Sequence, residues 1–318
     1  MDITPLRAIW ALGSYEPQIP PESGLRHWLS QDNYYVDSIS SAKMFQLACR
    51  DRAEFRSAMA FEAIKFSLNC QQTLFGIRSI NEFPRISAWH LIQAYYAAFF
   101  ASHSTLRLFG RAFSQLETGH VDHISFRAAS EAAIFQKLEK GHFDVQFDEN
   151  QATVRFAHGG ESHKGLWKCY VNLLKYVSTK VLQVRGNSRT LHEISTQFSG
   201  LETLLRSGGG RDSGNWLSII RNEVNYRGPD AVWFPFSKNK TQSEDLFRKS
   251  SAWRLGQLTP MDCLIAKTEY EKFFMTCVLV CQFNIHLMDD YCDIVDKKHP
   301  SIKNFIKYRN LTRENFLC

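Results

Sequence analysis

Between Trp89 and Leu106, bulky side chains recur at steps of three and four: Trp89, Ile92, Tyr96, Phe99, His103 and Leu106. That spacing gathers all six on one stripe of an α-helix and does not fit a strand, whose faces alternate every two residues. Leu91, Tyr95 and Phe100 widen the stripe, so the pattern predicts a helix over residues 86–109 that is buried on two sides. A helix apolar around that much of its circumference needs helical neighbours on more than one flank. The fold class expected is therefore mainly α, an antiparallel helical bundle.

The rest of the chain supplies the neighbours. Residues 43–75 read as a first long helix, with Phe55, Met59, Phe66 and Cys70 on one stripe and Arg50, Arg52, Glu54 and Arg56 mostly on the other side. Shorter helices are expected at about 164–184 and 190–206. Pro260, at an N1 position, opens a last long helix over 261–292 with a heptad-like seam of Tyr270, Phe274, Cys277, Cys281, Met288 and Tyr291. Prolines 5, 17, 20 and 21 break residues 1–40 into an irregular N-terminal arm, and its Trp10, Tyr15, Trp28, Tyr34 and Tyr35 argue that the arm packs on the body. Phe143 to Phe156 alternates apolar and polar residues around Asp148-Glu149-Asn150, which reads as a small β-hairpin insertion near 140–160. Ser237–Gln257 is a polar loop, and 301–318 is a basic tail with interspersed aromatics. The organisation expected is an arm (1–40), one helical domain (41–300) and the tail.

Charge and cysteine usage exclude some classes. Across 318 residues, 38 basic and 32 acidic side chains leave +6, which permits an anionic partner without the excess of a dedicated nucleic-acid domain. Eight scattered cysteines, none in a C-x-x-C, read as reduced thiols of a cytoplasmic protein. The most apolar run, Phe273–Phe283, is about eleven residues against the roughly twenty a membrane span needs, so no membrane is expected. His120-x-x-His123, with His142, His158 and His163, lacks a second ligand pair at a metal-binding spacing, and no metal or other cofactor is expected. Gly208–Gly214 lacks the G-K-[ST] of a phosphate-binding loop and reads as a linker.

The chemistry concentrates in Trp216–Arg227, W-L-S-I-I-R-N-E-V-N-Y-R, between that glycine-rich break and Gly228-Pro229. Leu217, Ile220 and Val224 mark the buried face of a helix, while Arg221, Asn222, Asn225, Tyr226 and Arg227 gather polar groups near one segment. Guanidiniums and amides suit a phosphate or carboxylate ligand.

Two stretches together resemble the HEPN superfamily of helical prokaryotic toxin and defence proteins. Ala94-Tyr95-Tyr96-Ala97-Ala98-Phe99-Phe100-Ala101-Ser102-His103 is similar to its Y-Y-A-x-F-H-A-A core helix, and Arg221-Asn222-Glu223-Val224-Asn225-Tyr226 stands where it carries R-N-x-x-x-H. The resemblance spans roughly residues 43–292. It implies a HEPN-like bundle and metal-independent RNA cleavage, commonly across a dimer. Arg221 would hold the scissile phosphate, Asn222 would orient it, and Arg227 and Asn225 would bind substrate. Its histidine would move the proton of the ribose 2′-hydroxyl, yet the fifth position after Arg221 is Tyr226 and the sixth is Arg227. Tyr226 would face the phosphate as a catalytic candidate, although a tyrosine titrating near 10 is a poor base at neutral pH unless its pKa is strongly depressed. Arg85 to His90 has the R-x-x-x-x-H spacing but lies on the wrong element, so His103 is the candidate base from elsewhere in the chain. Two functions stay open: an RNA-cleaving or RNA-binding effector, and an inactive subunit serving as scaffold, regulator or antitoxin-like partner. A protein partner or a homodimer is expected in either case.

Overall fold

The structure, a computed structural model, describes residues 2–10, 24–79, 87–207, 214–228, 230–233, 246, 258–295 and 300–314. Its helices are α1 (Leu25–Ser30), α2 (Arg52–Ser79), α3 (Ser87–Leu108), α4 (Thr118–Ala132), α5 (Ser162–Lys180) and α6 (Ser188–Arg206). They continue as α7 (Trp216–Arg227), α8 (Asp230–Trp233), α9 (Pro260–Leu264), α10 (Glu269–Ile294) and α11 (Pro300–Glu314). The strands are β1 (Tyr34–Ser41), β2 (Met44–Cys49), β3 (Arg111–Leu116), β4 (Gly141–Asp148) and β5 (Thr153–His158). The chain is mainly helical, with one small antiparallel sheet.

The helix α3 is the axis. It packs against α2 and α10 on its two flanks and also meets α5 and α7. Its Ala94, Ala97, Ala98 and Ala101 are fully buried, and such small side chains let neighbouring helices approach closely. The helix α10 is buried nearly all round from Phe273 to Ile285, so it is a central rod rather than a single-seam partner.

The five strands follow the order β1-β2-β5-β4-β3, each pair antiparallel. One cross-strand row runs Phe45, Phe156, Val145, Ala112, all buried, with Phe45 and Phe156 stacked at 4.6 Å. Phe55 of α2 packs on Phe147 at 4.8 Å, and Trp28 of α1 meets Phe55 edge-on at 5.0 Å, so this face lies on α1 and α2. The helix α5 covers the β3–β4 edge of the other face.

Several expectations change. Residues 34–49, expected as the end of an irregular arm and the start of a helix, form the β1–β2 hairpin. Tyr34 and Val36 are buried while Tyr35 and Asp37 are exposed, and Phe45 and Leu47 repeat that period of two. The helix α2 begins only after Asp51, whose carboxylate accepts the Ala53 N–H at 2.7 Å as a cap does. The earlier part of the arm holds α1, and Trp10, Trp28 and Tyr34 are buried on the chain's own core. The hairpin expected at 140–160 forms as β4–β5, but as two strands of the larger sheet rather than a separate insertion. The last helix is split: a Thr259–Asp262 capping box starts α9 with Pro260 at N1, and Thr268 caps α10 by accepting the Glu271 N–H. The tail forms α11, docked through buried Ile302 and Phe305. Of the expected loop 237–257, all but residue 246 lies outside the described residues, as do Gly208–Ser213 and Arg85. No helix among the described residues is long and apolar enough to cross a membrane.

Gly165, in the first turn of α5, sits against the Phe113 ring of β3, and a methyl there would also lie 2.6 Å from the carbonyl oxygen of Gly159. Gly165→Ala should therefore lower stability by about 1–3 kcal/mol, although alanine is the better helix former. Urea unfolding measures this, and an unchanged or raised midpoint would refute the close seat of α5 on β3.

Candidate functional site

The helix α7 spans Trp216–Arg227, the segment expected from the sequence, and buries Trp216, Leu217, Ile220 and Val224. Gly228 ends it in the left-handed region (φ 54°), which glycine adopts without strain. Arg221, Asn222, Asn225 and Tyr226 share one face by helical spacing. Asn222, Tyr226 and Arg227 are exposed, and Arg221 and Asn225 are half-buried.

The Arg221 guanidinium reaches α3. One terminal nitrogen donates to the Tyr96 hydroxyl and the other donates to Asn222 Oδ1 at 2.9 Å. Its carbon lies 5.7 Å from the Tyr95 ring centre, 5.3 Å from that of Tyr96 and 5.8 Å from that of Tyr226, a cationic group inside three aromatic faces. Burial is the largest influence and lowers the Arg221 pKa, but the hydrogen bond to Tyr96 and the charge interactions with Tyr96, Tyr95 and Tyr226 together leave it raised. Among the described residues Arg221 is in no ion pair, and its Nε is buried without a hydrogen-bond partner. The two carboxylates best placed in sequence to neutralise it are engaged elsewhere. Glu223 accepts the Tyr270 hydroxyl at 2.8 Å, and Glu202 pairs with Arg206 at 3.1 Å.

The histidine near Arg221 is not His103. It is His163, from the first turn of α5. The Tyr95 hydroxyl bonds His163 Nδ1 at 2.9 Å and accepts the Trp167 indole N–H at 3.1 Å, which fixes the imidazole against α3. The His163 ring lies 6.4 Å from that of Tyr96, so His163 and Arg221 flank the same pair of tyrosines. Burial first, then the positive charge of Arg221 and that of His142, hold the His163 pKa below the ordinary 6.5. It is neutral at pH 7 and can take a proton. Nε2 makes no hydrogen bond among the described residues.

The expected base, His103, is drawn into a structural network instead. Buried Arg107 donates to His103 Nδ1 at 3.1 Å and to Glu62 at 2.6 Å, and His103 stacks on Phe66 at 4.8 Å. Burial and then Arg107 push its pKa well below the ordinary value. It lies two helical turns beyond Tyr96, about 10 Å along α3. A cleft of about 340 Å³ opens on the His103 side, lined among others by Arg26, Glu62, Lys65, Phe99, His103, Arg107, His142 and Ser162; Arg221, Tyr96 and His163 do not line it. Phe99 touches both histidines, with ring centres 4.8 Å from each.

The His-x-x-His pair has other duties: His120 closes the capping box of α4, and His123 bonds Asp32 at 2.6 Å. Among the described residues no three His, Cys, Asp or Glu side chains converge as metal ligands. Seven cysteines are free thiols, and Cys318 lies outside the described residues. Sequence reasoning missed His163 because it sits some sixty residues before Arg221 on an element with no motif spacing. The signal available was a histidine one residue into a helix, followed by Trp167 one turn later.

Comparison with protein-family models, curated proteins and solved structures finds no match to this chain. The site is therefore read from its own geometry.

A histidine whose folded pKa is depressed stabilises the fold in its neutral form. That contribution is present above the unfolded value near 6.5 and is lost as pH falls from there toward the folded pKa. In an NMR titration His163 should titrate below 6.5. Arg221→Gln should raise that value while leaving it short of 6.5, because burial is the larger cause. No shift in Arg221→Gln would separate the two groups.

Proposed function

We propose that this chain is a HEPN-like protein that binds RNA on the α7 face and cleaves it without a metal, in a prokaryotic defence or toxin–antitoxin setting. The observation that carries this reading is a guanidinium without a carboxylate partner among the described residues, across two tyrosines from a neutral histidine. Phosphodiester cleavage by the ribose 2′-hydroxyl needs those two groups: a cation for the charge developing on the phosphoryl oxygens, and a group near neutrality to take the proton. On this reading Arg221 holds the phosphate, Asn222 orients the guanidinium, and Asn225, Tyr226 and Arg227 contact the strand. His163 takes the role for which His103 was expected. The cationic cleft beside His163 extends the path for the strand. A homodimer, as in the resembling family, would pair two such faces.

A second reading, an inactive HEPN-like scaffold or antitoxin-like partner, rests on the Arg221–Tyr96 hydrogen bond. That bond ties α7 to α3 and gives the arginine a structural task.

Labelled mixed-sequence RNA incubated with the protein in EDTA decides between them. The wild type should cleave, Arg221→Ala and His163→Ala should each slow cleavage by about 100-fold or more, and His103→Gln should retain most of the rate. No cleavage by folded wild type, monomeric or dimeric, combined with a lowered melting temperature in Arg221→Ala, would favour the scaffold.

A further inference from the structure

On the sheet face opposite the aromatic row, the registers align Ser38, Gln46, Arg155, Gln146 and Arg111, one residue from each strand. Directly opposed residues in an antiparallel ladder point the same way, so amides and guanidiniums alternate along one line. From Gln46 to Arg111 that line crosses three strand gaps, about 14 Å. It floors a cleft of about 830 Å³ that α5 walls with Tyr176 and Lys180, and that continues past the β4–β5 turn to Arg7 and Arg56. This is the size of a small-ligand site, and it shares no lining residue with the Arg221 surroundings.

The charges in the cleft divide into committed and available groups. Arg7 is paired with Asp290, and Arg56 with Glu149. Arg155 makes one side-chain hydrogen bond among the described residues, to the Met44 sulfur at 3.7 Å, and no ion pair. Arg111 lies 5.0 Å over the Tyr176 ring, and Lys180 bonds the neutral Gln183 at 3.2 Å. Of the acids in the lining, Glu149 is neutralised by Arg56, and Asp148 accepts the N–H groups of Asn150 and Gln151. Three cations thus face the cleft against one carboxylate. Gln46 has no side-chain hydrogen bond among the described residues, and Gln146 uses one amide hydrogen on Asp144.

We propose that this cleft binds a nucleotide, with its phosphates on Arg111, Arg155 and Lys180, its base edge read by Gln46 and Gln146, and its ring against Tyr176. Guanidiniums suit phosphate oxygens, a carboxamide presents the donor and acceptor that a base edge needs, and an aromatic wall offers a stacking surface. The nucleotide is either free or a residue of an RNA strand; the chemistry is the same.

Calorimetric titration of the full chain with ATP, GTP, CTP and UTP, with pyrophosphate, and with six-nucleotide homopolymer RNAs tests this. At least one nucleotide or oligomer should bind. Arg155→Ala, an exposed position, should weaken that binding at least tenfold, and Gln146→Ala should narrow the difference between bases. Tighter binding of the free nucleotide assigns the free form, and tighter binding of the oligomer assigns the strand; each upholds the inference if Arg155→Ala weakens it at least tenfold. Pyrophosphate binding as tightly as every nucleotide would overturn it, as would affinity indifferent to Arg155→Ala or absence of binding by any probe. The titration reads the sheet cleft through Arg155 and the cleavage assay reads Arg221 and His163, so either idea can fail alone.

Discussion

Burying a tyrosine hydroxyl without a hydrogen-bond partner costs on the order of 1–3 kcal/mol. Tyr95, in the middle of the bundle, avoids that cost through Trp167 and His163, both from α5. The consequence is larger than the bond. Its ring stacks with Phe273 of α10 at 6.4 Å and lies near Arg221 of α7, so one side chain of α3 sets how three other helices sit. Burial raises the Tyr95 pKa, so the phenol stays protonated and keeps a hydrogen to share. Removing it would leave an indole N–H and an imidazole nitrogen without their common partner.

The neighbouring residue works the other way. Tyr95 is fully buried, whereas Tyr96 is only partly so, and its hydroxyl receives Arg221 at the edge of the bundle. The tyrosine pair thus divides its labour: the first fixes the histidine, and the second fixes the arginine. The Arg107–Glu62 pair further along α3 explains why His103 has no share in this. Arg107 also donates to the His103 backbone carbonyl and to Ser114, and with its π-contact on Phe66 at 4.6 Å every side of that guanidinium is occupied. A buried charge so fully paired holds its histidine neighbour in place, because losing any one partner strands a charge in low dielectric.

How much of this was legible depended on whether the signal was local. The extents of α3 and α7 followed from spacing and from Gly228, both properties of a few adjacent residues. The β1–β2 hairpin was equally local, in the alternation of Tyr34, Val36, Phe45 and Leu47, yet it was masked by the helical stripe from Phe55 onward, which invited extension backwards past Asp51. The break before α10 was also written in the sequence, as Thr268 three residues ahead of Glu271, inside what reads as one long helix over 261–292. The sheet was not legible, since β2 pairs with β5 across more than a hundred residues and no local pattern encodes that choice. The site shows the same division. Arg221 and Asn222 were readable as a motif, while His163 enters only through the packing of α5 on α3, which the order of residues does not display.

That packing also bears on how the two polar surfaces relate. The helix α5 carries His163 in its first turn and Tyr176 and Lys180 near its end, about 20 and 25 Å further along a straight helix. Trp167 is locked to Tyr95, Gly165 is seated on Phe113, and Tyr170 and Val177 are fully buried, so the helix is held along its length. A ligand in the sheet cleft therefore meets a fixed wall. Influence of one surface on the other would have to shift α5 as a body, against a backbone approach at Gly165 that leaves no room for a methyl. A rigid spacer of this kind suits two contacts along one bound strand better than a switch, which needs an element with two packings of similar energy.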